Sequence, residues 1–485
     1  MTAANGTWRN WARTEAVKPQ RVERPASIGA VQRAVRAAAR GGQRIKAVGA
    51  GHSFTGIAVA TGVLLELDAL SGLVSVDRER SRVTLLAGTR LHQLPALLGP
   101  HELALANMGD IDRQSISGAI STGTHGTGAR FGGLATQVVG LTLVTADGEL
   151  LRIDEHENAE LLPAAALSLG ALGIIVEVTL QCVPAFVLHA VERPLPLDEV
   201  LDGLHGPEGV VETSDHFEFY WFPHTRSAVT KTNTRLAASA PTRPLSRMSS
   251  FVDDTLLANG VYAVTCAAGR VAPAIIPTVN GLAERLWSNR EFSDLSHRVF
   301  ATSRTVRFRE MEYAVPAADV PEVLRAVDAL IEERGWRISF PIEVRFAPAD
   351  GLWLSTASGR DSGYIAVHRY HREDHREYFE AVEEIMTAHA GRPHWGKLHT
   401  RGAAELAALY PQHGAFVALR DRLDPDRVFT NAYLDRVLGE TAATAPGSGG
   451  ALGAQTGAPG GSAATAPTAG ALDGSAGAFD GSAGA

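Results

Sequence analysis

Cysteine is nearly missing from this chain, whose 485 residues include two, Cys182 and Cys266. So few cannot frame a disulfide scaffold and their spacing fits no metal-ligand pattern, so both are expected in the core of a protein from a reducing compartment. Basic charge is also short: 45 Lys and Arg face 53 Asp and Glu, a formal net charge of −8, and no basic run gathers a positive stripe. That balance argues against a nucleic-acid partner. Long apolar runs are missing too. The most apolar window, Leu161 to Val176, is broken by Pro163, Ser168, Gly170 and Gly173, falls short of a membrane span and is expected as buried core. The start, MTAANGTWRNWARTE, lacks the apolar stretch of a signal peptide, so a soluble, cytoplasmic protein is expected. No GxSxG elbow, HExxH pair or GxxxxGKS/T loop occurs, which removes the commonest hydrolase and NTPase chemistries.

What is present is ordinary globular material, 45% hydrophobic, enough for two or three domain cores. Ile28, Val31, Val35 and Ala38 recur at helical spacing up to Gly41-Gly42. RIKAVGAG follows as a strand entering a loop, then VLLELD, GLVSVD and RVTLLAG as short strands and LHQLPALLGPHEL as a short helix. LTLVTADGELLRI predicts a hairpin turning at Asp147-Gly148. In the second half FEFYWFP, TVRFREMEYAVP, IEVRFAP and GYIAVHRYH predict strands, and VPEVLRAVDALIEERG and REYFEAVEEIMTAHA predict helices. The fold class is therefore α+β. Expected boundaries are 1–184 for a first domain, 185–438 for a second, and 439–485 for a Gly/Ala/Ser/Thr/Pro tail too polar and small in its side chains to order.

Two glycine-rich loops stand out. AVGAGHSFTGIA, residues 47–58, sets Gly49 and Gly51 at the end of an apolar strand, where backbone N–H groups can approach an anion closely. It is no dinucleotide fingerprint, because the third glycine of that motif is Phe54 here. SISGAISTGTHGTGA, residues 115–129, concentrates Gly, Ser and Thr where a packed element would leave hydroxyls without partners; a ligand rich in acceptors, or a long surface turn, would account for it.

The ordered set WRNWARTE, VGAGHSFTGIA, NMGDIDRQSISGAISTGTHGTGAR, GALGIIVEV, IEVR and RPHWGK resembles the FAD-linked oxidases of the vanillyl-alcohol-oxidase (PCMH-type) superfamily, within them the sugar-1,4-lactone and alditol oxidases. The resemblance spans nearly the whole chain before the tail. It implies a two-subdomain FAD-binding domain (1–184) and an α+β cap carrying the substrate site (185–438). It implies that Val48, Gly49, Ala50, Gly51, His52 and Ser53 wrap the FAD pyrophosphate. Ser115, Gly118, Ser121, Thr122, Gly123, His125, Gly126, Thr127 and Gly128, with Gly173, Ile174 and Ile175, would complete the cofactor site. His52 falls where many members bond covalently to the flavin 8α carbon and others hold it without a bond; the covalent link is the expectation here. Lys397 matches the lysine near flavin N1, whose charge would stabilise the reduced ring.

Glu343 and Arg345, two apart on a strand, share one face. Alone they would be an ordinary salt bridge; with the resemblance they are catalytic, orienting a substrate hydroxyl and stabilising oxygen charge. Ser115 and His368 match substrate contacts of alditol-oxidising relatives, but Tyr370 stands where those have threonine, which weakens the alditol assignment and makes a compact lactone ring as plausible as an open-chain polyol; a lactone is the first expectation and an alditol the alternative. His394 and His399 flank the lysine and either line the cavity or support it. His368, His371 and His375 could share a helix face and bind zinc, but GYIAVHRYH reads as a strand and a charged turn is preferred. The expected reaction is hydride transfer from an aldono-1,4-lactone CH–OH carbon to FAD, with O2 or another acceptor reoxidising it.

Overall fold

The computed structural model describes residues 6–245, 269–286, 289–302 and 306–440. Cys266 and nearly all of the low-complexity tail lie outside them; Cys182 is buried, and burial pushes its thiol up to about 12.

The first half carries two sheets. Strands Arg21–Glu23, Val63–Glu66 and Ile45–Val48 run parallel in that order. Parallel neighbours need a crossover, supplied between the first and the last of these by the helix Ile28–Arg40. Ser27 caps this helix by accepting from the Ala30 N–H at 3.3 Å, Val31, Ala34, Val35 and Ala38 form its buried stripe, and Gly41 ends it. The second sheet is antiparallel in the order Leu150–Ile153, Val138–Val144, Ile174–Gln181, Arg82–Leu86, Leu73–Asp77. Its hairpin turns at Asp147-Gly148, with Gly148 at φ +80°, a backbone conformation that glycine adopts at no steric cost.

The second half is built on one eight-stranded antiparallel sheet, ordered Arg290–Leu295, Phe186–Pro196, Ser227–Ala237, His216–Trp221, Ile342–Ala347, Ser362–Tyr370, Phe308–Pro316, Arg392–Pro393. Side chains alternate across a pleated sheet, and here the alternation separates two kinds of chemistry. Phe217, Phe219, Trp221, Ile342, Val344, Phe346, Met311, Ile365 and Val367 pack against helices Val320–Glu333 and Arg376–Ala388. The opposite face carries Glu218, Tyr220, Glu343, Arg345, Glu310, Glu312 and His368, in a register that sets Arg345 beside Glu218 and Glu310 beside His368.

The last stretch of the chain returns to the first half. Helices Ala403–Leu409, His413–Leu423 and Ala432–Leu438 bring Leu406, Phe416 and Leu434 into the same core as Val31, Ile45, Leu143 and Ile175. The Ile45 N–H donates to Val428 O at 2.8 Å, and Asn431 Nδ2 donates to the carbonyls of Gly56, Ile57 and Val59. The expected cap of 185–438 thus includes a C-terminal segment whose apolar residues pack in the first core.

Candidate active site

Both glycine loops meet in one cleft of about 790 Å³, its open mouth included. Lys46 to Ser53 form one wall, Gln114, Ser115, Ser117, Gly118, Ser121 and Thr122 another, and Leu169, Gly170, Gly173, Ile174 and Ile175 the floor. The glycine pair has two physical causes. A Cβ on Gly49 would collide with Ser115 Oγ, so the loops approach this closely only through glycine, whereas Gly51 sits at φ +68°, the left-handed region that residues with a Cβ disfavour. The second loop does not run as a loop throughout: Ile116–Ser121 is a short helix, with Ser115 as its N-cap accepting from the Gly118 N–H.

At the His52 end of the cleft the chain from Arg392 to Lys397 crosses over. The Phe54 N–H donates to Gly396 O at 2.7 Å, Thr55 Oγ1 donates to Trp395 O at 3.2 Å, and Lys397 Nζ stands 5.4 Å from the centroid of the Phe54 ring. His52 stacks on Trp11, ring centroids 5.9 Å apart. Burial first, then the positive charges of Arg90, Lys397 and Arg113, pull the His52 imidazole down to about 4, so it is neutral at physiological pH.

The charged sheet face adjoins this end through Lys397. Its ammonium pairs with Glu310 and lies 3.8 Å from Glu312; burial lowers its affinity for a proton, but the two carboxylates outweigh that and the group stays charged. Arg345 is surrounded by Glu343, by Glu218 at 2.9 Å and by Asp110 at 3.6 Å. The three carboxylates outweigh its burial and hold it well above the ordinary value. Tyr220 donates to Glu343 at 3.0 Å, and Lys231 stands 3.6 Å from Glu218. Burying so many charges is costly unless each finds partners, and a face arranged this way is a site where an arriving polar molecule meets fixed charges in a poorly screened setting.

Residues 178–437 match the family model for D-arabinono-1,4-lactone oxidase, and residues 19–154 match that for an FAD-binding domain. L-gulono-1,4-lactone dehydrogenase of Mycobacterium tuberculosis is 44% identical over 89% of this chain and 99% of that protein; L-gulonolactone oxidase of Mus musculus is 35% identical over 89% and 98%. The chain belongs to the D-arabinono-1,4-lactone oxidase family. Cholesterol oxidase from Brevibacterium sterolicum shares the fold, with a TM-score of 0.72 at 19% identity over 89% of this chain and 96% of that one. As a member of the family, the protein is an FAD-dependent oxidoreductase.

The cleft fits that cofactor. Where the two loops meet its wall is backbone and small hydroxyls, and a side chain at Gly49 would strike Ser115 while one at Gly51 would strain the backbone; a pyrophosphate can approach such N–H groups directly. Val48 to Ser53, Ser115, Gly118, Ser121, Thr122, Gly173, Ile174 and Ile175 all line it. Gly123, His125, Gly126, Thr127 and Gly128, which the sequence places with them, lie outside this lining. Thr127 Oγ1 donates to Phe217 O, accepts from the Phe346 N–H at 3.1 Å, and the Gly128 N–H donates to Phe346 O at 2.8 Å. These residues therefore stitch the second loop to the large sheet, and Gly126 is glycine because a Cβ would strike Met108 O.

Ser115 lies in the cofactor cleft and Tyr370 in a small cluster with Ala12, Phe54, Phe308 and Phe340. His368 is buried on the charged face, Nδ1 2.9 Å from Pro341 O. The three histidines weighed as a zinc set diverge: His368 ends on a strand, His371 bonds Arg307 O, and His375 meets Arg309. His399 is a support, bonded to Tyr433 Oη at 2.9 Å, whereas His394 joins the cluster behind Lys397. Sequence reasoning missed Asp110, Glu218, Glu310 and Glu312. Alternation in FREMEYAVP marks the two glutamates as sharing a face, but only the structure reveals that the face is buried.

Among the described residues no helix is long and apolar enough to cross a membrane.

Proposed function

We propose that this protein oxidises a CH–OH carbon of an aldono-1,4-lactone of the L-gulono or D-arabinono type. The observation carrying this reading is the placement of Glu343 and Arg345 on one buried sheet face that meets the His52 end of the cleft through Lys397. Bound FAD would accept the hydride at its N5. Arg345, permanently charged and clamped by three carboxylates, offers its guanidinium to a lactone oxygen without reorganising. Glu343, fixed by Tyr220, offers an acceptor to the hydroxyl whose carbon is oxidised. Lys397 would stand at the N1 side of the ring. Similarity to L-gulono-1,4-lactone dehydrogenase, L-gulonolactone oxidase and D-arabinono-1,4-lactone oxidase favours this over a polyol, as does the bulk of Tyr370. His368 and Tyr370 would shape the substrate pocket, with Ser115 nearer the cofactor. The cap would span 185–438 apart from its C-terminal return, and the few cysteines favour a cytoplasmic setting.

Covalent attachment through His52 is part of the proposal, supported by a neutral imidazole at the end of the cleft that Lys397 adjoins. Acid precipitation checks it: a yellow pellet is expected, and colour released wholly to the supernatant would refute the bond. Anaerobic L-gulono-1,4-lactone or D-arabinono-1,4-lactone should bleach the bound flavin while an alditol leaves it yellow; the reverse pattern would overturn the substrate assignment. Admitting air then separates the acceptors, since fast return of colour with peroxide means O2 and slow return means another acceptor.

A further inference from the structure

The side chains behind Lys397 fix one another's protons. His125 Nδ1 lies 2.8 Å from Gly126 O, and because a carbonyl only accepts, this nitrogen carries a hydrogen. His125 Nε2 lies 3.0 Å from Glu312 Oε1. The Lys397 ammonium stands 3.8 Å from the other oxygen of Glu312, which favours the ionised carboxylate, so Glu312 accepts. The second ring nitrogen must then donate as well. His394 has the opposite assignment: its Nδ1 accepts from the Gly396 N–H at 3.0 Å, and the ring is neutral, with burial pulling it down to about 4.

We propose that His125 is a positioning residue held as an imidazolium, whose charge neutralises Glu312 and so keeps that carboxylate from cancelling the ammonium of Lys397. One ammonium facing Glu310 and Glu312 alone would leave surplus negative charge where the reduced cofactor must gather its own. The imidazolium removes that surplus. Around His125 stand Glu312 on one strand, the Tyr364 ring stacked at 3.6 Å on the next, and the crossing segment, which brings neutral His394 and, 3.8 Å from Glu312, the Lys397 ammonium. Tyr364 keeps its proton, since burial pushes its hydroxyl far above the ordinary value, and aromatic faces attract cations. The three residues His125, Glu312 and His394 hold ligand atoms within 4.8 Å of one another, a set a metal could choose. A direct hydrogen bond between His125 and Glu312, with an ammonium already 3.8 Å from that carboxylate, favours the proton.

The effect on the bound cofactor rests on the function proposed above, but the protonation does not, so it can be read on cofactor-free protein. In long-range proton–nitrogen spectra of 15N-histidine-labelled protein at pH 7.5, His125, assigned by its loss in His125→Gln, should carry hydrogen on both nitrogens. In Glu312→Gln it should carry one. A singly protonated His125 in the unaltered protein would overturn the inference, as would stoichiometric bound metal lost in His125→Gln. With FAD bound, His125→Gln should move the flavin midpoint potential downward and lower kcat at least tenfold with KM within twofold. An unchanged potential would refute the electrostatic role whatever the activity.

Discussion

The two faces of the eight-stranded sheet are made by the same strands, residue by alternate residue, and are held together by different physics. Behind, Phe219, Trp221, Val344, Ile365 and Val367 are shut from water against two amphipathic helices. In front, Glu218, Glu310, Glu312, Glu343 and Arg345 are almost as buried, yet each is stable only through its partners. Burial alone therefore does not distinguish scaffold from site. What distinguishes them is whether removing one side chain leaves a cavity or an unpaired charge.

The sharpest way to separate the faces is Arg345→Met. It should leave Glu218, Glu343 and Asp110 facing one another, at about 3–5 kcal/mol of stability, and lower the rate of anaerobic flavin reduction by about 10²–10³; urea titration and stopped-flow absorbance measure the two. Phe219→Ala should cost about as much stability, roughly 3–5 kcal/mol, while kcat and KM of the folded fraction stay near their original values. If Phe219→Ala altered turnover as strongly as Arg345→Met, the division of labour would be wrong.

A gentler probe is acid. His216 and His394 are buried and drawn down to about 4, chiefly by burial, so the unfolded chain binds more protons than the folded one between its ordinary histidine value and 4. Stability from this source is complete above about pH 6.5 and is lost as pH falls toward 4, by about 1.4 kcal/mol per pH unit for each proton. Melting temperatures from pH 7.5 to 4.5 should show the slope, and His216→Gln should flatten it. The smallest effect belongs to the crossover helix of the first half. Ser27→Ala removes the cap from Ile28–Arg40 and should cost about 1 kcal/mol with activity intact.

Sequence reading recovered the elements whose period is clean. The helix Ile28–Arg40, the Asp147-Gly148 hairpin and the strands at 216–221, 308–316, 342–347 and 362–370 lie where alternation or helical spacing put them. It did not find Phe186–Pro196, Ser227–Ala237 or Arg290–Leu295, where charged and small residues blur the period of strands at and near one edge of the sheet. At the site, motif order singled out the glycine loops, which meet in one cleft, and Glu343, Arg345 and Lys397, which the structure gathers on or against the charged sheet face. It could not separate the cleft-lining Ser115 to Thr122 from the stitching residues His125 to Gly128, because Gly, Ser and Thr serve close backbone packing as well as ligand approach. Nor could it see that Glu310 and Glu312 are buried, since glutamates alternating along a strand look the same whether water or a lysine lies above them.

The return of the C-terminal segment has a consequence for how the protein is made. Val428 and Asn431 bond to residues 45 and 56–59, and Phe54 is tied to Gly396, so the amino-terminal half emerging from the ribosome lacks the pieces that close its core. Contacts of such long sequence separation form late and slowly, leaving an apolar surface exposed in the nascent chain. Cutting the coding sequence near residue 184 should therefore yield an insoluble fragment, and co-expression of residues 185–440 as a separate polypeptide should rescue part of it.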